Sequence, residues 1–333
     1  MRTTCVILLV LLTAGFALAD DEMQINGFVD ASYAGNITTG NGEFGLDQAE
    51  IDILRDMGDT NLLRVDIDYA KAGNGFSCYL EQGYMNFKLP MVDVVDFTIG
   101  KFNAPIGFEL LDAPDMYQYS HSLVFDYCLP TNLTGLMGGY AINDAMDIVL
   151  YATNGWDRNA DNNDVLTFGG RFGFTQEKFG VGVSAIMGSE DANQNEMQTV
   201  FDIDLTLNLS ETILIGGEFN MGSIAYDTPN ADDASWTGMM VMCHYTVNDW
   251  LGATCRFDMV NDSDGELFGF APGTTEGFNR SSITLAPTFV LGEGLGALIE
   301  YRMDMASEDV FLDADNAATG SESTVAFEMT YTF

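Results

Sequence analysis

Acidic side chains recur at every second position in several stretches of this chain. In "LLRVDIDYA", residues 62–70, Asp66 and Asp68 share a phase with Arg64. "FDIDLTL" pairs Asp202 with Asp204, and "ALIEYRMD" puts Glu300 in phase with Arg302. "LGATCRFDM" adds Arg256, and "GRFGF" adds Arg171. Rows of fixed carboxylates lower the energy of a nearby cation and raise that of an anion, and arginines opposing them would set a transverse field.

Two other chemistries are conceivable. "NDSDGE" at 261–266 and "DADN" at 313–316 offer oxygen ligands for calcium or magnesium, yet Pro272 stands where an EF-hand loop needs its bidentate glutamate. The metal signal is therefore weak, and no other cofactor is expected. His121, between Ser120 and Ser122, invites comparison with a hydrolase, with Asn103 or Asp126 to orient the ring. The only other histidine is His244. Adjacent residues on a strand point to opposite faces, so neighbours in sequence do not make a nucleophile–base pair. An enzyme is not expected.

The chain carries 12 lysines and arginines against 50 aspartates and glutamates, a net charge of −38. Nothing basic is available to replace counterions on phosphate, which excludes nucleic acid as a partner. Cations and small hydrophilic solutes are the natural guests, and many of the acids serve only to solvate loops.

A one-sided stripe of charge requires an element with a period of two. "INGFVDASY" alternates Ile25, Val29, Ala31 and Tyr33 with Asn26, Asp30 and Ser32, and "QAEIDI" alternates Ala49, Ile51 and Ile53 with Gln48, Glu50 and Asp52. These are strands with one apolar and one polar face. A soluble sandwich turns its apolar faces inward, whereas an outer-membrane barrel turns them to lipid and lines its lumen with the charged ones. Alternation alone leaves both open. Strand lengths near the ~9–11 residues that cross a bilayer at a tilt favour the barrel. So do the gaps: "GDTN", "QEKFG" and "NLSET" are short, while "GNITTGNGEFG", "NGWDRNADNND", "GSEDANQNEM" and the polar, acidic segments at 221–235, 260–280 and 305–323 are long. The fold class expected is all-β, a transmembrane up-and-down antiparallel β-barrel of about 16 strands, with 14 to 18 allowed by the ambiguous stretch between Pro90 and Tyr140.

The two termini fit that reading. "MRTTCVILLVLLTAGFALAD" has a basic start, a short apolar core and small residues at Ala17 and Ala19, so residues 1–19 read as a secretory signal peptide. Residues 20–333 then form a single barrel domain. "VAFEMTYTF" ends on Phe333 without a tail, as expected of a strand that closes a barrel beside the first one and presents a terminal aromatic to the barrel-assembly machinery. Cys243 and Cys255 fall on consecutive strands, where a bridge is feasible but unproven.

Residues 99–130, "IGKFNAPIGFELLDAPDMYQYSHSLVFDYCLP", break the alternation. Pro105 and Gly107, with Asn103, Glu109, Asp112, Asp115 and a cluster of aromatics, describe a long irregular connection. One reading folds it into the lumen as a constriction loop; the other packs it outside on neighbouring loops.

Here a resemblance becomes specific. "LRVDIDYA", "YLEQGYMNFKLP", "VDFTIGKFNAPIGFELLDAPDMYQYSHSLVFDY" and "LYATNGWD" together resemble the OmpL-like β-barrel porin family of Gram-negative outer membranes. The resemblance implies a diffusion channel in the outer membrane, in contact with its lipid and open to homo-oligomer formation, with 100–107 and 119–123 as matching positions. In such a barrel, Asp66, Asp68, Asp202, Asp204 and Glu300 would line the lumen on the acidic side and Arg64, Arg171, Arg256 and Arg302 on the basic side, giving a preference for cations. The alternative is a structural or adhesive barrel whose acidic outer loops bind divalent cations or a partner surface. A soluble secreted β protein is a further alternative, distinguished by remaining in solution without detergent.

Overall fold

A computed structural model describes residues 23–58, 61–72, 75–194, 196–227 and 232–333. The leader assigned to residues 1–19 lies outside them. The strands run β1 (Gln24–Asn36), β2 (Asn41–Asp56), β3 (Leu62–Ala72), β4 (Gly75–Leu89), β5 (Val92–Asn103), β6 (Asn132–Asn143), β7 (Met146–Thr153), β8 (Thr167–Gln176) and β9 (Phe179–Gly188). They continue as β10 (Glu196–Ser210), β11 (Ile213–Tyr226), β12 (Ala234–Asn248), β13 (Leu251–Asp262), β14 (Phe278–Gly292), β15 (Leu295–Ala306), β16 (Phe311–Leu312), β17 (Ala318–Thr319) and β18 (Ser321–Thr332). The two-residue strands β16 and β17 form a small separate ribbon; the other sixteen close into one antiparallel barrel.

Each strand pairs with its neighbour in sequence, and β1 pairs with β18 to close the ring. Closure satisfies both outer edges, which an open sheet would leave unpaired. Phe333 contributes directly: its backbone exchanges hydrogen bonds with Gly27, N–H to carbonyl in both directions, at 3.0 and 3.2 Å.

The outer surface carries the apolar phase of the strands, including Ile51, Leu150, Phe201, Phe219, Val241 and Leu285, all exposed. In water such a belt would be an aggregation surface; in a bilayer it is the lipid-facing band. Aromatic pairs sit where consecutive strands turn tightly, Phe87 on Phe97, Phe174 on Phe179 and Trp250 on Phe289. Aromatic rings at that level mark the membrane boundary. Cys243 and Cys255 oppose each other across β12 and β13 on this outer face, both as free thiols.

One gap expected to be long is short. "GNITTGNGEFG" is mostly strand, with a four-residue turn at 37–40 between β1 and β2. The Asn36 side chain accepts from the Thr39 N–H at 2.9 Å, the Gly40 N–H donates to the Asn36 carbonyl, and Gly40 has φ +77. An Asx turn ending in a left-handed glycine closes the hairpin tightly, and the flanking polar residues extend the strands rather than the loop. The ambiguous stretch resolves into β5, a connection at 104–131, and β6.

Candidate functional site

The 104–131 connection enters the barrel. It contains a 3-10 turn at Ala113–Asp115 and a short helix, α1, at Leu123–Cys128. Irregular backbone inside a barrel needs partners for its N–H and carbonyl groups, and the wall supplies them. Glu218 on β11 accepts from the Phe108 N–H at 3.0 Å, and Glu300 on β15 accepts from the Ser120 N–H at 3.1 Å. Asp258 on β13 accepts from the Leu123 N–H at 2.9 Å, and Glu109, within the loop, accepts from the Ser122 N–H at 2.9 Å. Ser122 in turn caps α1 by accepting from the Phe125 N–H.

Arg256 is the centre of this arrangement. Its side chain is fully buried, donates to Glu109 at 2.7 Å and Asp258 at 3.1 Å, and reaches the loop carbonyls of Ser120 at 2.6 Å and His121 at 2.9 Å. Arg302 donates to the same His121 carbonyl at 2.6 Å. A guanidinium presents five donors in a fixed fork, and here that fork ties two carboxylates and two carbonyls together. Removing one member of such a buried set strands the others, at a cost of roughly 3–5 kcal/mol.

Beneath these polar contacts lies an apolar core inside the barrel. Ile106, Leu123, Val124, Cys128 and Leu129 of the loop pack on inward residues of β5–β13, among them Phe102, Val200, Ile224, Met240, Met242 and Val260. The expectation of a uniformly wet lumen fails here. On β12 both faces are apolar, Met239, Val241 and Cys243 outward and Met240 and Met242 inward. An unbroken apolar run is the sequence signature of a strand buried on both sides, and "MMVMC" is one.

The predicted acids Asp66, Asp68, Asp202, Asp204 and Glu300 all point into the barrel and are buried. The arginines do not face them across the lumen. Arg64, Arg256 and Arg302 each donate through Nε to the aspartate two residues on, at 2.8 Å to Asp66, 3.1 Å to Asp258 and 2.8 Å to Asp304. Arg171 reaches Asp204 on the same side of the barrel. The correction is visible in the sequence as a thrice-repeated R-x-D, because residues two apart on a strand share a face. A transverse field from these arginines is therefore largely cancelled locally.

Among the predicted loop residues, Asn103 ends β5, with its side-chain oxygen accepting from Asn132 at 2.7 Å. Pro105 and Gly107 lead the chain inward, and Gly107 has φ +88 and lies against Leu129 and Glu218, so a side chain there would be both strained and crowded. Asp115 is exposed on the 3-10 turn, while Asp112 sits opposite β2–β4. Burial, with help from the charges of Glu81 and Asp115, pushes the Asp112 carboxyl up to about 7. His121 Nε2 donates to the Leu110 carbonyl, 2.7 Å away, and the ring stacks on Phe125, so neither flanking serine is aligned on it by this structure as a nucleophile.

The acidic loop motifs use their carboxylates on backbone. Asp262 accepts from the N–H groups of Glu266, Leu267 and Phe268, and Asp313 accepts from those of Asp315 and Ala317. They serve as turn caps.

Several interior acids escaped the sequence reading as site residues: Asp30, Glu50, Glu81, Glu218 and Glu328, all buried. Four of them share the polar phase of their strands. Glu81 does not, because a bulge displaces it.

Two cavities, about 400 and about 290 Å³, open between the inserted loop and the barrel wall. Tyr119, Ser120 and Glu300 border the first with residues of β1, β2 and β18. Ala113, Pro114 and Met116 border the second with Leu298, Glu328 and Thr330, and with His244, Leu251 and Thr288 on β12, β13 and β14.

The family model for "Putative beta-barrel porin-2, OmpL-like" matches residues 22–333. The chain belongs to this porin family. It is thus an outer-membrane channel protein and not an enzyme. The barrel of this porin is similar to the outer membrane channel DcaP of Acinetobacter baumannii, with a TM-score of 0.68 at 12% identity, covering 96% of this chain and 100% of that one. An anion-selective porin from Comamonas acidovorans gives 0.67 at 10% identity, over 94% and 100%. The trimer form of OmpT from Vibrio cholerae gives 0.66 at 12%, over 95% and 100%. A search of curated proteins returns no match. At these identities the similar structures speak for the fold alone.

Proposed function

We propose that this porin is a passive diffusion channel that prefers cations, with its passage along the β15–β18–β1–β4 wall. The observation that carries the reading is the imbalance of charge there. Asp30, Asp47 and Glu328 cluster beside the Tyr119 ring, and none of them forms a salt bridge among the described residues. Asp30 Oδ1 and Asp47 Oδ2 also lack hydrogen-bond partners among the described residues. Uncompensated carboxylates beside a passage lower the energy of a cation there and raise that of an anion. The loop, clamped to the far wall by Arg256, narrows the lumen and directs solutes to this side.

Residues 1–19 act in this scheme as the export leader, and Phe333 as the aromatic read by the assembly machinery. A homo-oligomer, as in the trimeric OmpT form, would leave the interior passage unchanged.

Purified barrels in planar bilayers under a KCl gradient test the reading. Discrete conductance steps with a reversal potential favouring potassium are expected. A zero or chloride-favouring potential overturns the cation preference, and folded, inserted protein without conductance returns the structural or adhesive alternative.

A further inference from the structure

Glu50, Asp68 and Glu81 lie on three consecutive strands, β2, β3 and β4, and are 2%, 0% and 2% exposed. One oxygen from each lies within 4.8 Å of the others. Glu50 Oε2, Asp68 Oδ1 and Glu81 Oε1 have no hydrogen-bond partner among the described residues. The nearby guanidinium of Arg64 is committed to Asp66, at 2.8 Å, with Asp52 at 4.0 Å. Three buried carboxylates thus converge with unused lone pairs, an arrangement that costs free energy unless something positive fills it.

The backbone is bent to create this cluster. Pairing of β3 with β4 passes from Asp66 opposite Gln82 to Ile67 opposite Leu80, leaving Glu81 without a partner. A regular strand would turn one of two consecutive side chains outward. The bulge puts both Glu81 and Gln82 on the inner face, where both are buried. Bulges re-aim side chains at functional positions, and what this one adds to the cluster is a third carboxylate.

We infer that Glu50, Asp68 and Glu81 form an interior binding site for one divalent cation of calcium size. The ligand set is oxygen only, which selects hard cations. Magnesium demands a near-ideal octahedron and keeps most of its waters, whereas calcium accepts an irregular set of protein oxygens such as three carboxylates from adjacent strands, so the ligand set favours the larger ion. The site joins β2, β3 and β4 side by side, and its occupancy is independent of whether the barrel conducts.

The test uses the full detergent-folded barrel, stripped with EDTA and titrated with calcium or magnesium by calorimetry. Terbium luminescence excited through tyrosine is the second readout, since Tyr79 stands opposite Asp68 in the ladder. One calcium per barrel is expected, bound at least tenfold more tightly than magnesium. Glu81→Gln should weaken calcium binding at least tenfold, while Asp313→Asn, in an outer loop, should leave it unchanged. The melting temperatures should also cross: Glu81→Gln above the parent in EDTA and below it in calcium, a reversal that loss of mere packing would not produce. Failure of the parent to take up calcium saturably overturns the inference. So does affinity in Glu81→Gln within twofold of the parent, or loss of binding in Asp313→Asn, which would move the ion to the outer loops. Should Glu81→Gln not fold, Glu50→Gln carries the same comparison.

Discussion

The two halves of the barrel wall treat the inserted loop in opposite ways. From β5 to β13 the interior is largely apolar and packs against Ile106, Leu123, Val124 and Leu129, and Arg256 on β13 fixes the loop carbonyls. From β18 through β1 to β4 the interior is acidic, and oxygens on Asp30, Asp47, Glu50, Asp68 and Glu81 are left without partners among the described residues. The first half resembles the inside of a soluble domain in its close-packed apolar side chains, although Asp202 Oδ1 and Glu218 Oε1 there also lack hydrogen-bond partners among the described residues. The second tolerates what a stable core avoids. Apolar burial is concentrated on the first side of the loop, and most of the carboxylate oxygens without partners among the described residues lie on the second.

The sharpest way to break this contrast is Arg256→Met. With Glu109 and Asp258 left buried without their cation, loop docking should lose about 3–5 kcal/mol. Single-channel recordings should then show larger and noisier conductance, and thermal unfolding should begin earlier; unchanged conductance would mean that the loop does not depend on the clamp. Leu123→Ala attacks the apolar half of the same seat, where Leu123 is 1% exposed. A loss of about 2–5 kcal/mol is expected from the cavity it leaves, read by denaturant titration and by accelerated proteolysis within 104–131.

On the acidic half, the combined change Asp30→Asn, Asp47→Asn and Glu328→Gln should leave the barrel at least as stable, because each substitution removes like-charge repulsion. It should reduce the potassium-to-chloride permeability ratio several-fold. Retention of the full ratio would place selectivity elsewhere.

The smallest effect is a titration. The Asp112 carboxyl, raised from 3.8 to about 7 chiefly by burial, is favoured in its neutral form by the folded state. Its contribution to loop docking is therefore fully present below pH 3.8 and is lost as pH rises through about 7. In EDTA, cation preference should fall modestly as pH drops through 7, and Asp112→Asn should flatten that step. A step unaltered by the substitution would assign it to another acid.

Much of the wall was legible from the period of two, and the inward phase of Asp66, Asp202 and Glu300 followed from it directly. What could not be read was anything that departs from a regular strand. Glu81 was hidden by the bulge that turns it inward, and Arg256 showed its strand phase but not the loop it would hold 136 residues earlier in sequence at Ser120. The Met240 and Met242 surface is not legible from alternation, which by itself implies lipid outside and water inside, whereas here a loop supplies the inner apolar partner. The turn at 37–40 was overlooked because polar and glycine residues favour loops on average, and only the Asn36 side chain shows that here they close a hairpin.

That turn has a consequence for the rim of the barrel. The connection from β1 to β2 is four residues, and only two residues separate β3 from β4, whereas the connections at 154–166, 263–277 and 307–320 are 13 to 15 residues long. The mouth is therefore notched, low on one flank and tall on the other. Bulky ligands such as antibodies or phage fibres would meet the tall flank first, while a hydrated ion can enter sideways through the notch and arrive beside the acidic wall without threading the taller loops.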